Sequence, residues 1–348
     1  MNTSSIARAF RVALPGLLAA TLMSGCYLLQ TIEGQLSLMW KREPISRVIG
    51  RPTTKPALRA QLQEVTAIRD FASRDLGLPD NGSYRSYADV GRPYVVWNVF
   101  AAPEFSVQPK EWCYPIAGCV AYRGYFKEQK AHDYAARLGA QGFDVEVGGV
   151  AAYSTLGHFD DPILNTMMGW NDVELASIIF HELTHQLIYV PDDSSFDEAL
   201  ATTVEQEGVR RWLSRQGRSD ALAAYELEQR RTLQVIDLLI GTRQRLRVLY
   251  ASGAVTADMK RAKQAEFTAL RAEYAALSAG WGADAPFASW FRANLNNAYL
   301  VSIATYYRCV PGFERELAAV GGDLPAFYRR ARRLADLGQA ERDALLCR

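Results

Sequence analysis

The chain has 348 residues, with 39 Lys and Arg against 38 Asp and Glu and a formal net charge of +1. That length buries a sizeable core in one large domain or two lobes. The apolar fraction of 49% is that of a folded protein rather than a disordered one. So even a charge balance leaves no basic footprint for a phosphate backbone and argues against nucleic acid as a partner.

Arg8 and Arg11 make a positive N-terminal segment, and Val12 to Met23 is an apolar stretch broken by Pro15-Gly16. A run this short reads as a cleavable export signal, not as a permanent membrane helix. It ends in Met23-Ser24-Gly25-Cys26, which resembles the lipobox of bacterial lipoproteins, with Met where that pattern prefers Leu. The resemblance implies a signal peptide over 1–25 and acylation of Cys26, which would anchor the chain to a membrane of the cell envelope. Tyr27 rather than an acidic residue follows, which by resemblance to Gram-negative sorting patterns implies the periplasmic face of the outer membrane. A plain signal peptide with an incidental cysteine is the alternative. Four further cysteines, an even number in an exported chain, suggest two disulfides. Cys113 and Cys119 bracket a loop short enough to close locally, and Cys309 with Cys347 would tie the C-terminus back onto a helix. Four reduced buried thiols are the alternative. None of the four sits in a CxxC pair, which argues against a cysteine metal site.

Along the mature chain, Leu28 to Trp40 and Lys55 to Leu76 have helical apolar spacing. Strand-like runs follow at Tyr94–Phe100, Cys119–Tyr125, Phe143–Val147 and Val150–Leu156, with a helix over Glu128–Gly139 among them. Residues 26–170 therefore read as a small α+β lobe. From Asn171 the pattern is helical to the end, so 171–348 reads as a helical lobe forming one catalytic unit with the first. Asn171 and Glu174 form a capping box, and Pro191 stops the helix that they open. A second helix runs from about Ser195 to Leu213. Ala221–Tyr250 and Ala257–Ala279, joined at Ser252-Gly253, form an antiparallel helical hairpin whose basic residues read as a solvated face.

Two of the four histidines stand in His181-Glu182-Leu183-Thr184-His185, inside the capped apolar helix. Residues four apart share a helix face, so both imidazoles reach one zinc ion. Glu182, about 100° round the helix, addresses the water that such a metal acidifies, as general base. The alternative, two core histidines, must also explain Glu182 among Ile178, Ile179, Phe180 and Leu183. A catalytic zinc takes three protein ligands. His132 and His158 precede the motif, and no HxxGxxH extension follows it, which argues against the metzincin arrangement. The third ligand is expected from the next helix, where Glu198 and Glu205 share a face roughly 10 Å apart along the axis, too far for one ion to hold both. Glu198, nearer the interhelical turn, is preferred, although Ser195 and Glu198 could also form a capping box. The glutamate left over would support a ligand or be a helix-face charge.

These features resemble a known family, the bacterial proteins described as predicted aminopeptidases, of gluzincin type. The resemblance covers most of the mature chain. It is carried by Cys26-Tyr27-Leu28-Leu29-Gln30, by 82–89 (GSYRSYAD), by 94–102 (YVVWNVFAA), by 152–157 (AYSTLG) and by the HELTHQ helix. It implies a zincin-like α+β fold, zinc held by His181, His185 and a downstream glutamate, catalysis by Glu182, and a peptide substrate. Gluzincins place the glutamate in an Asn-Glu-small helix start, which Asp197-Glu198-Ala199 fits with Asp for Asn. The GxMEN strand by which larger aminopeptidases hold a free amine has no counterpart here. In zincin-like folds a strand such as 150–157 lies along the substrate backbone, which makes Tyr153, Ser154 and Thr155 candidate substrate-binding residues. A gluzincin site also uses a Tyr or His donor, for which Tyr306 is the leading candidate, with Tyr299 and Tyr153 behind it. The expected function is a zinc-dependent aminopeptidase. An endopeptidase, a cell-wall peptide hydrolase and a non-catalytic lipoprotein stabilised by zinc are the alternatives.

Overall fold

Apolar residues recurring every third or fourth position set the character of the chain in a computed structural model that describes residues 33–114, 118–152, 154–253, 255–282 and 285–347. Cys26 and Tyr153 lie outside the described residues. After a helical stretch at 33–41, α1 (Pro56–Arg74) starts on proline, whose missing N–H would be unpaired in a first turn anyway. It buries Leu62, Val65, Ile68 and Phe71. Glu43–Pro44, Ser86–Ala88 and Ile163–Leu164 form a small mixed sheet.

The larger sheet positions the site. It is centred on β1 (Val96–Pro103). A hairpin of β2 (Trp112–Tyr114) and β3 (Gly118–Val120) follows, joined across Cys113 and Cys119, which form a disulfide. Then come β4 (Tyr122–Tyr125), α2 (Glu128–Ala140) and β5 (Phe143–Val150), with β4 and β5 flanking β1, antiparallel to it. Alternation sorts the faces. Trp97, Val99 and Ala101 with Val145 and Val147 pack on Ala131 and Leu138 of α2. Val96, Asn98 and Val150 face a large cavity on the other side.

Of the described residues in the strand expected over Val150–Leu156, only Val150 is in a strand. β5 instead runs unbroken to Val150, paired there with Val96. Beyond it the chain turns, with Leu156 and Gly157 at φ of 56° and 82°. Thr155 donates from its backbone N–H and its hydroxyl to the buried Asp161 carboxylate.

Past Asn171 the chain is helical. α3 (Asp172–Leu187) opens on the expected capping box of Asn171 and Glu174, and ends before Pro191, with Ile188 already extended. α4 (Ser194–Arg215) is capped by Asp193, which accepts from the Phe196 N–H, so the alternative box of Ser195 and Glu198 does not form. A Cβ at Gly208 would stand 2.7 Å from Phe180 and 2.8 Å from Leu76, so glycine lets α4 lie close against α3. α5 (Ser219–Tyr250) and α6 (Thr256–Leu277) form the expected hairpin, with Ile236, Leu239 and Leu246 packed on Phe267, Leu270 and Tyr274. α7 (Asn297–Tyr307) crosses between the sheet and α4. α8 (Val310–Ala318), α9 (Leu324–Ala335) and α10 (Gln339–Leu346) follow, and a disulfide joins Cys309 to Cys347. The largest apolar core unites α1, α3 and α4 through Ile68, Phe71, Phe180 and Val204 with Phe313 and Phe327. The architecture is mixed α+β with small sheets and a helical majority. No helix among the described residues is long and apolar enough to cross a membrane.

Candidate active site

His181 and His185 stand one turn apart on α3, their rings edge to face with centroids 4.9 Å apart. α4 lies alongside and brings Glu198 to both. Glu198 Oε2 is 3.1 Å from His181 Nε2 and 3.6 Å from His185 Nε2. Glu205, two turns further along α4, places Oε2 3.0 Å from His181 Nδ1. The two glutamates therefore take opposite nitrogens of one imidazole. His181, His185 and Glu198 are largely buried, with side chains 11%, 8% and 13% exposed.

This donor set fits a small divalent cation. One ligating atom from each of His181, His185 and Glu198 lies within 4.8 Å of the others. With bonds of about 2.0–2.1 Å, neighbouring corners of a tetrahedron are roughly 3.3 Å apart. The two distances to Glu198 lie on either side of that value. Glu205 accepts from Nδ1–H, the partner by which metal-holding histidines direct Nε2 at the ion, and a metal there would displace the Nε2 proton that otherwise meets Glu198. The electrostatics agree. Burial opposes a charge on His181, yet the hydrogen bonds to Glu198 and Glu205 overcome it and raise the imidazole well above the usual histidine range. Burial likewise opposes charge on Glu198, but its hydrogen bonds to His181 and His185 hold the carboxyl down at about 2. The centre is built to keep positive charge between carboxylates.

Glu182 and Tyr306 line the same cavity, whose volume is about 1720 Å³. The Glu198 carboxylate, then burial, and further off Glu182 push the Tyr306 phenol well above the usual tyrosine range, so it remains a donor. Leu36 and Met39 of the 33–41 stretch form one wall, and Ala221, Ala224 and Tyr225 of α5 form another. Ser154 and Thr155 also line the cavity, with Thr155 committed to Asp161. His158 lines it too but is not one of the three clustered ligating residues, and His132 is exposed on α2 beside Glu128.

Behind α3 the 82–89 segment buttresses the motif. Asn81 Nδ2 donates to Gln186 Oε1 at 2.8 Å, and Gln186 Nε2 to the Ser83 hydroxyl at 3.2 Å. The buried Arg69 holds that loop by donating to the carbonyls of Ser83, Pro79 and Asn81.

Three residues carried no functional expectation from sequence. Asp197 lines the cavity with Oδ2 buried and unpartnered, and Tyr225 lines it with a buried hydroxyl in the same condition. Arg342 of α10 reaches Asp193, the cap of α4, at 2.8 Å. The acidic run at 192–198 was the visible signal for Asp197. Nothing in the sequence pointed to the other two. No curated protein and no solved structure matches the chain. Residues 26–346 match the model of the family described as "Putative aminopeptidase", and the chain belongs to that family.

Proposed function

We propose that the protein is a zinc-dependent peptidase in which His181, His185 and Glu198 hold the metal. The observation that carries this reading is the convergence of those three side chains beside Glu182 and Tyr306 on one cavity. Bound zinc would supply a Lewis acid that polarises the scissile carbonyl and acidifies a water. Glu182 takes the proton of the attacking water and returns it to the leaving amine. The Tyr306 hydroxyl donates to the carbonyl oxygen as charge grows there. Glu205 fixes the tautomer and orientation of His181, while Ser154, Thr155 and the end of β5 flank the substrate. Tyr299, a candidate from sequence, packs on Trp290 in the hairpin core and does not line the cavity, which leaves Tyr306 with Tyr153 as the alternative. We further propose that acylated Cys26 holds the enzyme at the envelope.

Purified protein should contain close to one zinc per chain, lose peptide hydrolysis on chelation and regain it when zinc is restored. Glu182→Gln should keep the zinc and lose at least about 10²-fold in turnover. A fully active Glu182→Gln protein would overturn the mechanism, and active protein free of metal would overturn the zinc reading.

A further inference from the structure

Alternation along β1 sends Val96, Asn98 and Phe100 to the cavity side of the sheet, so one amide stands in an apolar row on the central strand. Asparagine is depleted in strands, and a polar side chain packed there normally has a protein partner. The Asn98 carboxamide has none among the described residues, yet it is partly exposed and lines the cavity. Asn98 belongs to the 94–102 segment that carries the family resemblance, but the resemblance attached no role to it.

The neighbouring strands leave the amide room on one side. Asn98 stands opposite Gly124 of β4 and Gly148 of β5. A Cβ at Gly124 would be 3.2 Å from Asn98 Oδ1 and 3.0 Å from Val96 Cγ1, so glycine there keeps a side chain from crowding the carboxamide. Over Gly148 the space is taken, because Glu146 Oε1 lies 3.0 Å from where a Cβ would stand. The open side therefore faces β4 and the cavity, which Tyr122, Gly124 and Phe126 also line. After Glu198 and burial, Tyr122 is the next group to raise the Tyr306 phenol, which puts this part of the sheet beside the proposed donor.

The amide's own chemistry says what it takes. Oδ1 accepts and Nδ2 donates, neither with a charge. A peptide group offers the matching pair, an N–H and a C=O, whereas a charged group is met more strongly by a carboxylate or a guanidinium. Asn98 stands on the sheet and the proposed ligands on α3 and α4, different walls of one cavity. A peptide group held at the sheet is thus not the one held at the histidines. We propose that Asn98 hydrogen-bonds a main-chain peptide group of the substrate other than the scissile one, an assignment that rests on the peptidase reading and makes oligopeptides the substrate class. The cavity, at about 1720 Å³, has room for a chain of several residues. A substrate with a single peptide group forgoes this contact, and with it the binding energy that a remote part of a longer chain supplies.

Full-length Glu182→Gln protein in detergent, loaded with zinc to bind without rapid turnover, is titrated calorimetrically with two ligands. Alanine N-methylamide has a single peptide group, and tetra-alanine N-methylamide has several. The longer ligand should bind at least about fivefold tighter. Adding Asn98→Val, whose side chain suits a strand beside Val96, should weaken the longer ligand about 3- to 10-fold, the range of one lost neutral hydrogen bond. The shorter ligand, the zinc content and the unfolding midpoint should stay as in the parent. Asn98→Ser gives the same comparison where the valine variant does not fold. Equal affinity of the parent for the two ligands overturns the proposal. So does an unchanged affinity ratio in the Asn98 variants, or equal weakening of both ligands together with loss of zinc, which would make Asn98 a structural residue. If wild type hydrolyses peptides while the ratio ignores Asn98, this assignment alone fails. If wild type hydrolyses no peptide while the ratio depends on Asn98, the peptidase reading fails and the peptide contact stands.

Discussion

His181 meets two carboxylates, and the nitrogen that each one takes separates their roles. Glu198 shares Nε2 with the side of the ring that also faces His185, whereas Glu205 takes Nδ1. On the proposed reading, removing Glu198 takes away a ligand. Removing Glu205 only loosens one, an effect of about 10- to 100-fold on metal affinity for partners of this kind. Equilibrium dialysis against a competing chelator should therefore find no stoichiometric zinc on Glu198→Ala, and a full but more weakly held complement on Glu205→Ala. The reverse pattern would exchange the two assignments. The seven-residue spacing showed that one ion could not hold both glutamates, but it could not show that one imidazole would hold both. That depends on how closely α4 lies against α3, which Gly208 permits and no periodicity reveals. The capping ambiguity had a similar origin. Asp193 and Ser195 are both competent caps, and only the start of the helix at Ser194 releases Glu198 from that role.

Elements defined by long apolar periodicity were legible: α3, α4 and the α5–α6 hairpin fall close to their expected spans. Two strand readings changed: Cys119–Tyr125 divides at Ala121 into β3 and β4, which belong to different sheets, and Val150–Leu156 is not a strand beyond Val150 among its described residues. Val150–Leu156 has strand-like residues, but β5 exhausts its pairing with β1 at Val150, and the next residues answer to Asp161 instead. A hydrogen bond from Thr155 to a carboxylate six residues on is invisible to alternation counting. The cap of α4 was hidden for another reason, since its partner lies 149 residues away on α10. Arg342 and Asp193 are 7% and 2% exposed, and the guanidinium also lies over the Phe196 ring. Breaking a buried pair by deleting one member strands the other charge. Arg342→Leu should therefore lower unfolding free energy by about 3–5 kcal/mol in urea titrations. Adding Asp193→Asn removes the stranded charge and keeps a capping side chain, so it should recover part of the loss. A single variant as stable as wild type would show that the pair contributes nothing to the corner that carries Asp197 and Glu198.

At the scale of the whole molecule, segments near both ends of the described chain reach the region of the site. The C-terminal helix is joined to the head of α8 through Cys309–Cys347 and reaches the α4 cap through Arg342. The N-terminal side supplies a cavity wall, because Leu36 and Met39 of the 33–41 stretch line it while Trp40 stands 86% exposed. Leu36 stands ten residues after Cys26, so an acyl group there would hold the cavity near a bilayer surface. One acyl chain alone binds membranes only marginally, and stable anchoring takes more than one, so loss of the modified cysteine should release the protein. Cys26→Ser is expected to move it from washed membranes to the soluble fraction. The proposed ligands come from α3 and α4, remote in sequence from Cys26, so on that reading the released protein should keep zinc and peptide hydrolysis at about the wild-type level. Retention of Cys26→Ser in washed membranes would rule out the lipid anchor. Release with loss of zinc would mean that the anchor segment supports the α3–α4 pair, a role its place in the cavity wall does not predict.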